Sequence, residues 1–307
     1  MPIDPPTPDQ NAALTRSVTL LSVLTALTLV LIKLVIWLAS GSVALMASMA
    51  DSGLDLIAST ATFIAVRYAA APPDAEHRYG HGKAEAFASL LQAGLVFGSA
   101  ALIGEEAVRR LFDPKPVGRE TWALAAMGLS IVLTAGLILA QTRLLRRANS
   151  VAVSADRAHY AADLASNVIA LIGIAAATLL GLVSLDAIAA LIIGGVLLWG
   201  AVAVFRDASD QLLDRELPDD SRARIVELVL ADPAVRDVHQ VRTRASGPIT
   251  HMQMHADLDP DLSLEAAHAI VVAAEKRILA AFPAADIIIH ADPRGRAEPH
   301  GGAFGES

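Results

Sequence analysis

Residues 16–39 read RSVTLLSVLTALTLVLIKLVIWLA. Arg16 opens the stretch and Lys33 interrupts it; everything between is apolar or carries a small hydroxyl. A helix needs ~20 such residues to cross a hydrocarbon layer ~30 Å thick, so this segment reads as a membrane span. Working outward, five further segments meet the same test: 43–69, 85–107, 121–143, 152–182 and 185–206. Breaks fall at Ser40-Gly41-Ser42, Pro72-Pro73, Pro114 and Pro116, Arg146-Arg147 and Gly181. The whole chain is 54% apolar and only 18% charged, too apolar for an ordinary soluble domain. The expected fold is a six-helix transmembrane domain at 15–210 followed by a small α+β domain at 211–293. The Pro-rich residues 1–14 and residues 294–307 are expected to be disordered tails. The first lacks the basic start and small-residue cleavage site of a signal peptide.

Six spans place both termini on one side. With the termini inside, the inner segments hold Arg16, Arg67, Arg78, Lys83, Arg143, Arg146, Arg147, Arg157, Arg206 and Arg215. The outer loops hold Arg109, Arg110, Lys115 and Arg119. Basic residues concentrate on the cytoplasmic side of membrane proteins, so both termini are expected in the cytoplasm, although the loop after the third span dissents. The net charge of −8 leaves no basic stripe to neutralise phosphates and excludes nucleic acid as a partner. No cysteine is present, so a metal must bind through His, Asp or Glu.

From about 215 the texture changes. Residues 218–231 pattern as an amphipathic helix opened by Pro-Asp-Asp, and 262–281 as a second helix. Residues 235–245 and 249–258 alternate apolar with polar around Ser246-Gly247-Pro248, and 285–290 reads as a third strand. The order α-β-β-α-β implies a two-layer domain.

Three groups of residues carry metal chemistry. The second span contains Asp51 and Asp55, the fifth His159 and Asp163. Each pair is spaced i, i+4 and shares a helix face. A carboxylate at mid-membrane costs ~3 kcal/mol, so these acids are expected to face an interior, where three carboxylates and an imidazole suit a tetrahedral divalent ion. An isolated acid near a helix end would simply reach water; two spaced pairs argue against that. The loop after the second span offers Asp74, His77 and His81, which can close on one metal or be incidental loop polarity. Five of the nine histidines lie between 239 and 290. Of these His239, His255, His268 and His290, with Asp292, are candidates for a third site, while His251 reads as surface. Lys33 reads as a snorkelling side chain. No H-E-x-x-H occurs, and nothing points to an enzyme.

Taken together, DSGLD in the second span, HYAAD in the fifth, D-x-x-H-x-x-x-H-G-K-A-E in the loop and HQVRTR…MQMH…IIIHADP near the end resemble the cation diffusion facilitator family, in its bacterial zinc and ferrous-iron efflux branch. The resemblance runs from about residue 15 to 293. It implies a homodimer in the bacterial inner membrane, with six spans per protomer and a metallochaperone-like cytoplasmic domain. It implies export of Zn²⁺, or of Cd²⁺, Fe²⁺, Co²⁺ or Mn²⁺, in exchange for protons. It also implies a binuclear cytoplasmic site in which Asp292 bridges two metals, and a charge interlock of Lys83 with Asp214. Ala291 departs from the branch, which often carries a polar residue there. The alternative is a membrane-anchored metal sensor or scaffold without transport.

Overall fold

The computed structural model describes residues 8–40, 43–112, 121–146, 150–179 and 183–295. The chain divides near Asp210 into a helical unit and a C-terminal unit.

The helical unit contains α1 (Pro8–Ser40), α2 (Val43–Ala69), α3 (Ala84–Phe112), α4 (Thr121–Leu145), α5 (Val151–Leu179) and α6 (Val183–Leu212). Helix α1 starts at Pro8, so residues 8–14 are helical, against the expected tail. Proline is tolerated in a first turn because the N–H it lacks has no intrahelical partner there. The remaining tail residues 1–7, the breaks at 41–42, Pro114, Pro116 and Gly181, and the tail from 296 lie outside the described residues. Among the described residues four helices, α1, α3, α4 and α6, are long and apolar enough to cross a membrane. The expectation of six is met only to that extent. Helices α2 and α5 are of similar length but carry the acids: Asp51 and Asp55 in one, Asp156 and Asp163 in the other.

Packing in this unit runs on small residues. Ala93, Ala155 and Val204 form one buried cluster, and Val96, Ala100, Ala162, Leu197 and Ala201 another. Large apolar side chains point outward instead, as with Trp199 at 81% exposure and Leu38 at 70%. Lipid gives no hydrophobic gain for burying such groups, so helices in a bilayer associate through small residues and polar contacts. Ser150 caps α5 by accepting from the Val153 N–H at 3.3 Å, and its hydroxyl donates to Glu85 at 2.7 Å.

The C-terminal unit contains α7 (Asp219–Leu230), β1 (Asp237–Ser246), β2 (Ile249–Leu258), α8 (Leu264–Ala281) and β3 (Ala285–Pro293). The sheet order is β1-β2-β3. Strands β1 and β2 form an antiparallel hairpin whose turn contains Gly247 at φ 57, a left-handed conformation that glycine adopts without strain. Strand β3 returns through α8 to pair parallel with β2. Met252, Met254, Ala256 and Leu258 of β2 pack with Ile225 and Val229 of α7 and with Ala274 and Ile278 of α8. Both helices therefore cover the sheet face that carries even-numbered β2 residues, and the period of two sends odd-numbered ones to the other face. Ser263 caps α8 through the Ala266 N–H at 3.2 Å. Pro218 precedes α7 without a side-chain cap, and the expected first-turn acids, Asp219 and Asp220, face its N-terminus.

Candidate metal sites

Helices α2 and α5 bring three of the four intramembrane candidates together. His159 Nε2 lies 3.0 Å from Asp55 Oδ1 and 3.6 Å from Asp163 Oδ2. Donors around a tetrahedral ion with ~2.0 Å bonds stand ~3.3 Å apart, so these spacings need little change to grip one. His159 is buried, and its other ring nitrogen makes no hydrogen bond among the described residues. Asp51 stands one turn from Asp55 and is outside this three-donor group, but it lines the same ≈ 210 Å³ cavity as Asp55 and Asp163.

Two residues here escape a reading by motif. Lys33 is buried at 7% exposure rather than snorkelling to an interface. Its Nζ donates to Ser52 Oγ at 2.6 Å and to the Ser48 carbonyl at 3.2 Å, and it lines the cavity with the acids. The partners come from α2, so no inspection of α1 alone finds them. Asp156, fully buried on α5, is the other. It lies three residues before His159 and seven before Asp163, on the same helix face, and that spacing was the available signal.

The loop candidates also converge. Asp74 Oδ1 lies 3.3 Å from His77 Nδ1, and Asp74 Oδ2 lies 3.2 Å from His81 Nε2. Asp74 Oδ1 accepts from the backbone N–H of His77 at 2.6 Å and of Glu76 at 2.9 Å, an Asx turn that fixes the carboxylate. The His77 N–H is the main cause holding Asp74 below the usual carboxylate range. His81 is buried, and its Nδ1 faces the Ala71 carbonyl at 3.5 Å. With Nδ1 protonated toward that carbonyl, Nε2 turns a lone pair toward Asp74, the arrangement that metal-ligating histidines use.

In the sheet, register does the assembly. His239 pairs with His255 and His255 with His290, so three histidines form a rank across β1, β2 and β3. Two residues along, Asp237 pairs with Asp257 and Asp257 with Asp292 in a parallel rank. Asp292 is the hub. Its Oδ2 lies 2.8 Å from His255 Nδ1 and 3.5 Å from His239 Nε2, and its Oδ1 lies 3.2 Å from His290 Nε2. Both carboxylate oxygens thus meet imidazoles. A β-bulge after His239, with Gln240 at φ 50, shifts the register before Arg242.

His268 does not join this group. It is exposed on α8, which packs on the opposite sheet face from the histidine rank. Asp257 was missed by sequence reading; its Oδ1 lies 3.8 Å from His239 Nδ1, beyond hydrogen-bond range, and with Asp237 and His239 it forms a further group of donors close enough to share an ion. His251, read as surface, is buried and bonds Asp286 at 2.9 Å across β2 and β3. Lys83 belongs to the helical unit. Asp214 belongs to the C-terminal unit, where Arg244 donates to it at 3.1 Å.

Comparison with known proteins agrees with this division of the chain. Residues 19–213 match the cation efflux transmembrane domain, and residues 217–294 match the cation efflux protein cytoplasmic domain. The cation-efflux pump FieF of Shewanella oneidensis is 43% identical over 279 residues, covering 89% of this chain and 92% of that one. FieF of Cronobacter sakazakii is 39% identical over 274 residues, covering 89% and 91%. FieF of Serratia proteamaculans is 37% identical over 284 residues, covering 92% and 94%. A solved structure of CzrB in its Zn form is 28% identical and covers 28% of this chain and 99% of that one, at a TM-score of 0.25. With both domain types in this order and relatives matched over nearly their full length, the chain is an integral membrane protein that belongs to the cation-efflux family, a family of transporters and not of enzymes.

Proposed function

We propose that this chain is a proton-coupled antiporter that exports divalent metal cations from the cytoplasm across the bacterial inner membrane, with Zn²⁺ as the preferred cargo. The observation that carries the reading is the convergence of Asp55, His159 and Asp163 from two helices within the membrane unit. Asp51 completes a four-donor set of oxygens and one imidazole, a combination that suits Zn²⁺ or Cd²⁺ and admits Fe²⁺, Co²⁺ or Mn²⁺. Lys33 offsets one of the three negative charges, so that a bound dication leaves donors and Lys33 together neutral. That balance matters where little water screens charge.

In this reading all six helices cross the bilayer. Helices α2 and α5 tolerate their acids because the carboxylates face the cavity rather than lipid. Protons and metal compete for the same donors, since ligands must be deprotonated to bind. Exposure of the site to the cytoplasm favours metal; exposure to a more acidic exterior favours protons and releases it. His159 is the natural carrier because imidazoles titrate near neutral pH. The C-terminal domain serves as the dimerisation and sensing module. His239, His255, His290 and Asp292 hold regulatory ions there, and bound metal stabilises whichever dimer arrangement completes the site. Asp74, His77 and His81 form a third position beside the membrane surface.

The test is Zn²⁺ flux into proteoliposomes under an imposed pH gradient. Flux that depends on the gradient and disappears in Asp55→Ala supports the proposal. Gradient-independent or absent flux in the wild-type chain favours a membrane-anchored sensor instead.

A further inference from the structure

The transport reading leaves Asp156 without a task, yet it is a buried carboxylate with several hydrogen bonds. It is 0% exposed. Its Oδ1 accepts from Gln92 Nε2 at 3.0 Å and Ser59 Oγ at 3.4 Å, and its Oδ2 from Gln141 Nε2 at 2.8 Å. The same amides reach further. Gln141 donates to Ser22 Oγ at 3.2 Å, and Gln92 to Thr62 Oγ1 at 3.0 Å. The Tyr160 hydroxyl sits 2.7 Å from Ser59 Oγ and donates to the Ser22 carbonyl at 3.3 Å. Ser22, Ser59, Gln92, Gln141 and Asp156 come from α1, α2, α3, α4 and α5 respectively, so one carboxylate ties five helices.

The location is as informative as the bonding. The cavity beside the metal donors is lined by Lys33, Ser48, Ile103, Ser130 and Ser166. These lie toward the C-terminal ends of α1, α3 and α5 and in the N-terminal halves of α2 and α4. The Asp156 network draws on the other halves of all five helices. Along α2 the order is Asp51, Asp55, Ser59, Thr62; along α5 it is Asp163, His159, Asp156. Tyr160 lines the cavity and reaches the network through Ser59; from there the network extends one turn beyond the metal donors, on the side away from the cavity. With the termini in the cytoplasm, that is the cytoplasmic side.

A closure made of polar bonds differs from one made of packed apolar groups. In a bilayer each bond must be exchanged for another before the helices can part, so the arrangement is held in discrete states. Gln92 Oε1 and Gln141 Oε1 are buried with no hydrogen-bond partner among the described residues. When the amides release Asp156, those oxygens and the carboxylate are ready to meet a passing cation.

We infer that Asp156 is a positioning residue for transport, a latch that joins five helices on the side of the metal site away from the cavity and that must open for the ion to cross. The inference rests on the transport reading, and its test does not require metal flux. The chain has no cysteine, so Ser166→Cys gives a single cavity-lining thiol in the full-length protein. In membrane vesicles of each orientation, a membrane-impermeant maleimide is expected to reach that thiol chiefly from the side opposite the α2–α3 loop. Adding Asp156→Asn is expected to raise labelling from the loop side about tenfold, as loss of a buried charge-assisted bond shifts a two-state equilibrium. Ser59→Ala, which deletes one donor and preserves the carboxylate, shifts labelling in the same direction by less and guards against misfolding of the first variant. In flux assays Asp156→Asn lowers the maximal rate about tenfold while the half-saturating Zn²⁺ concentration moves less than about threefold, and Asp156→Glu restores part of the rate. Unchanged sidedness of labelling in both variants overturns the latch, whatever happens to flux. Absent wild-type flux with a shifted label sinks the transport reading and leaves the latch standing.

Discussion

Two regions of this molecule gather histidine and aspartate into tight groups, and they do so by different means. In the bundle, Asp55 on α2 meets His159 and Asp163 on α5, and Asp51 stands one turn away along α2, with the helical i, i+4 spacing doing the alignment. In the sheet, the pairs Asp237 and His239, His255 and Asp257, and His290 and Asp292 use the strand spacing of two, and register brings them side by side. The environments differ as much as the geometry. A carboxylate within a bilayer costs ~3 kcal/mol, so its presence there already demands a use. A carboxylate in a water-soluble sheet can be exposed, like Asp237, or buried, like Asp292, and three in a rank mean something only once their neighbours are known. The bundle therefore has a candidate site that composition betrays, and the sheet has one that only pairing reveals.

The largest expected effect falls in the bundle. Asp55→Ala or Asp163→Ala removes a donor and an anion together, and Zn²⁺ flux should fall at least about a hundredfold, beyond what loss of a supporting group brings. Near-wild-type flux in either variant would break the comparison, because the intramembrane acids would then have no use. In the sheet, Asp292→Ala removes the group that faces three imidazoles. Zn²⁺ affinity measured by calorimetry on the full chain should drop about ten- to a hundredfold at the C-terminal sites, whereas His268→Ala should change it little. Equal losses in both variants would restore His268 to the site.

The two regions should also differ in what holds them together. Met254→Ala opens a void in the core between sheet and helices and should destabilise the C-terminal unit by about 2–5 kcal/mol in denaturant unfolding. Leu38→Ala, on an outward face of α1, should change stability far less, since lipid replaces the lost contact. The smallest effect concerns the loop. Asp74 is held below the usual carboxylate range by the N–H groups of His77 and Glu76. A depressed folded value stabilises the turn above the ordinary carboxylate pKa of about 3.9, and the contribution is lost as pH falls through the folded value. Amide chemical shifts of Glu76 and His77 should therefore follow one titration below that point, and Asp74→Asn should abolish it.

How far each region could be read in advance follows from the same contrast. Helices at 43–69 and 121–145 were legible to within a turn because hydropathy declares a span and proline, glycine or charge ends it. Strand β2 was placed at 249–258 by alternation alone. Helix α1 was misplaced at its start because the proline-rich opening hides a helical first turn at Pro8. Lys33 and Asp156 escaped because their partners lie on other helices, and nothing local distinguishes a bonded lysine from a snorkelling one. His268 stands apart from the other candidates within one protomer, which the sequence did not show, because five clustered histidines look alike there while the face of the sheet on which each lies depends on pairing and on α8 covering one side. Asp257 was missed for the mirror reason, since it lies two residues from His255 and gains meaning only between Asp237 and Asp292, which register places on either side of it.

The most direct test of the central claim is to locate the ion itself. Zinc-edge anomalous scattering on the Zn²⁺-loaded protein should place a peak between α2 and α5, about 2.0–2.2 Å from donor atoms of Asp55, His159 and Asp163. The peak should vanish in Asp55→Ala while those in the C-terminal unit persist. Zinc peaks in the sheet and loop with none between α2 and α5 would contradict the account.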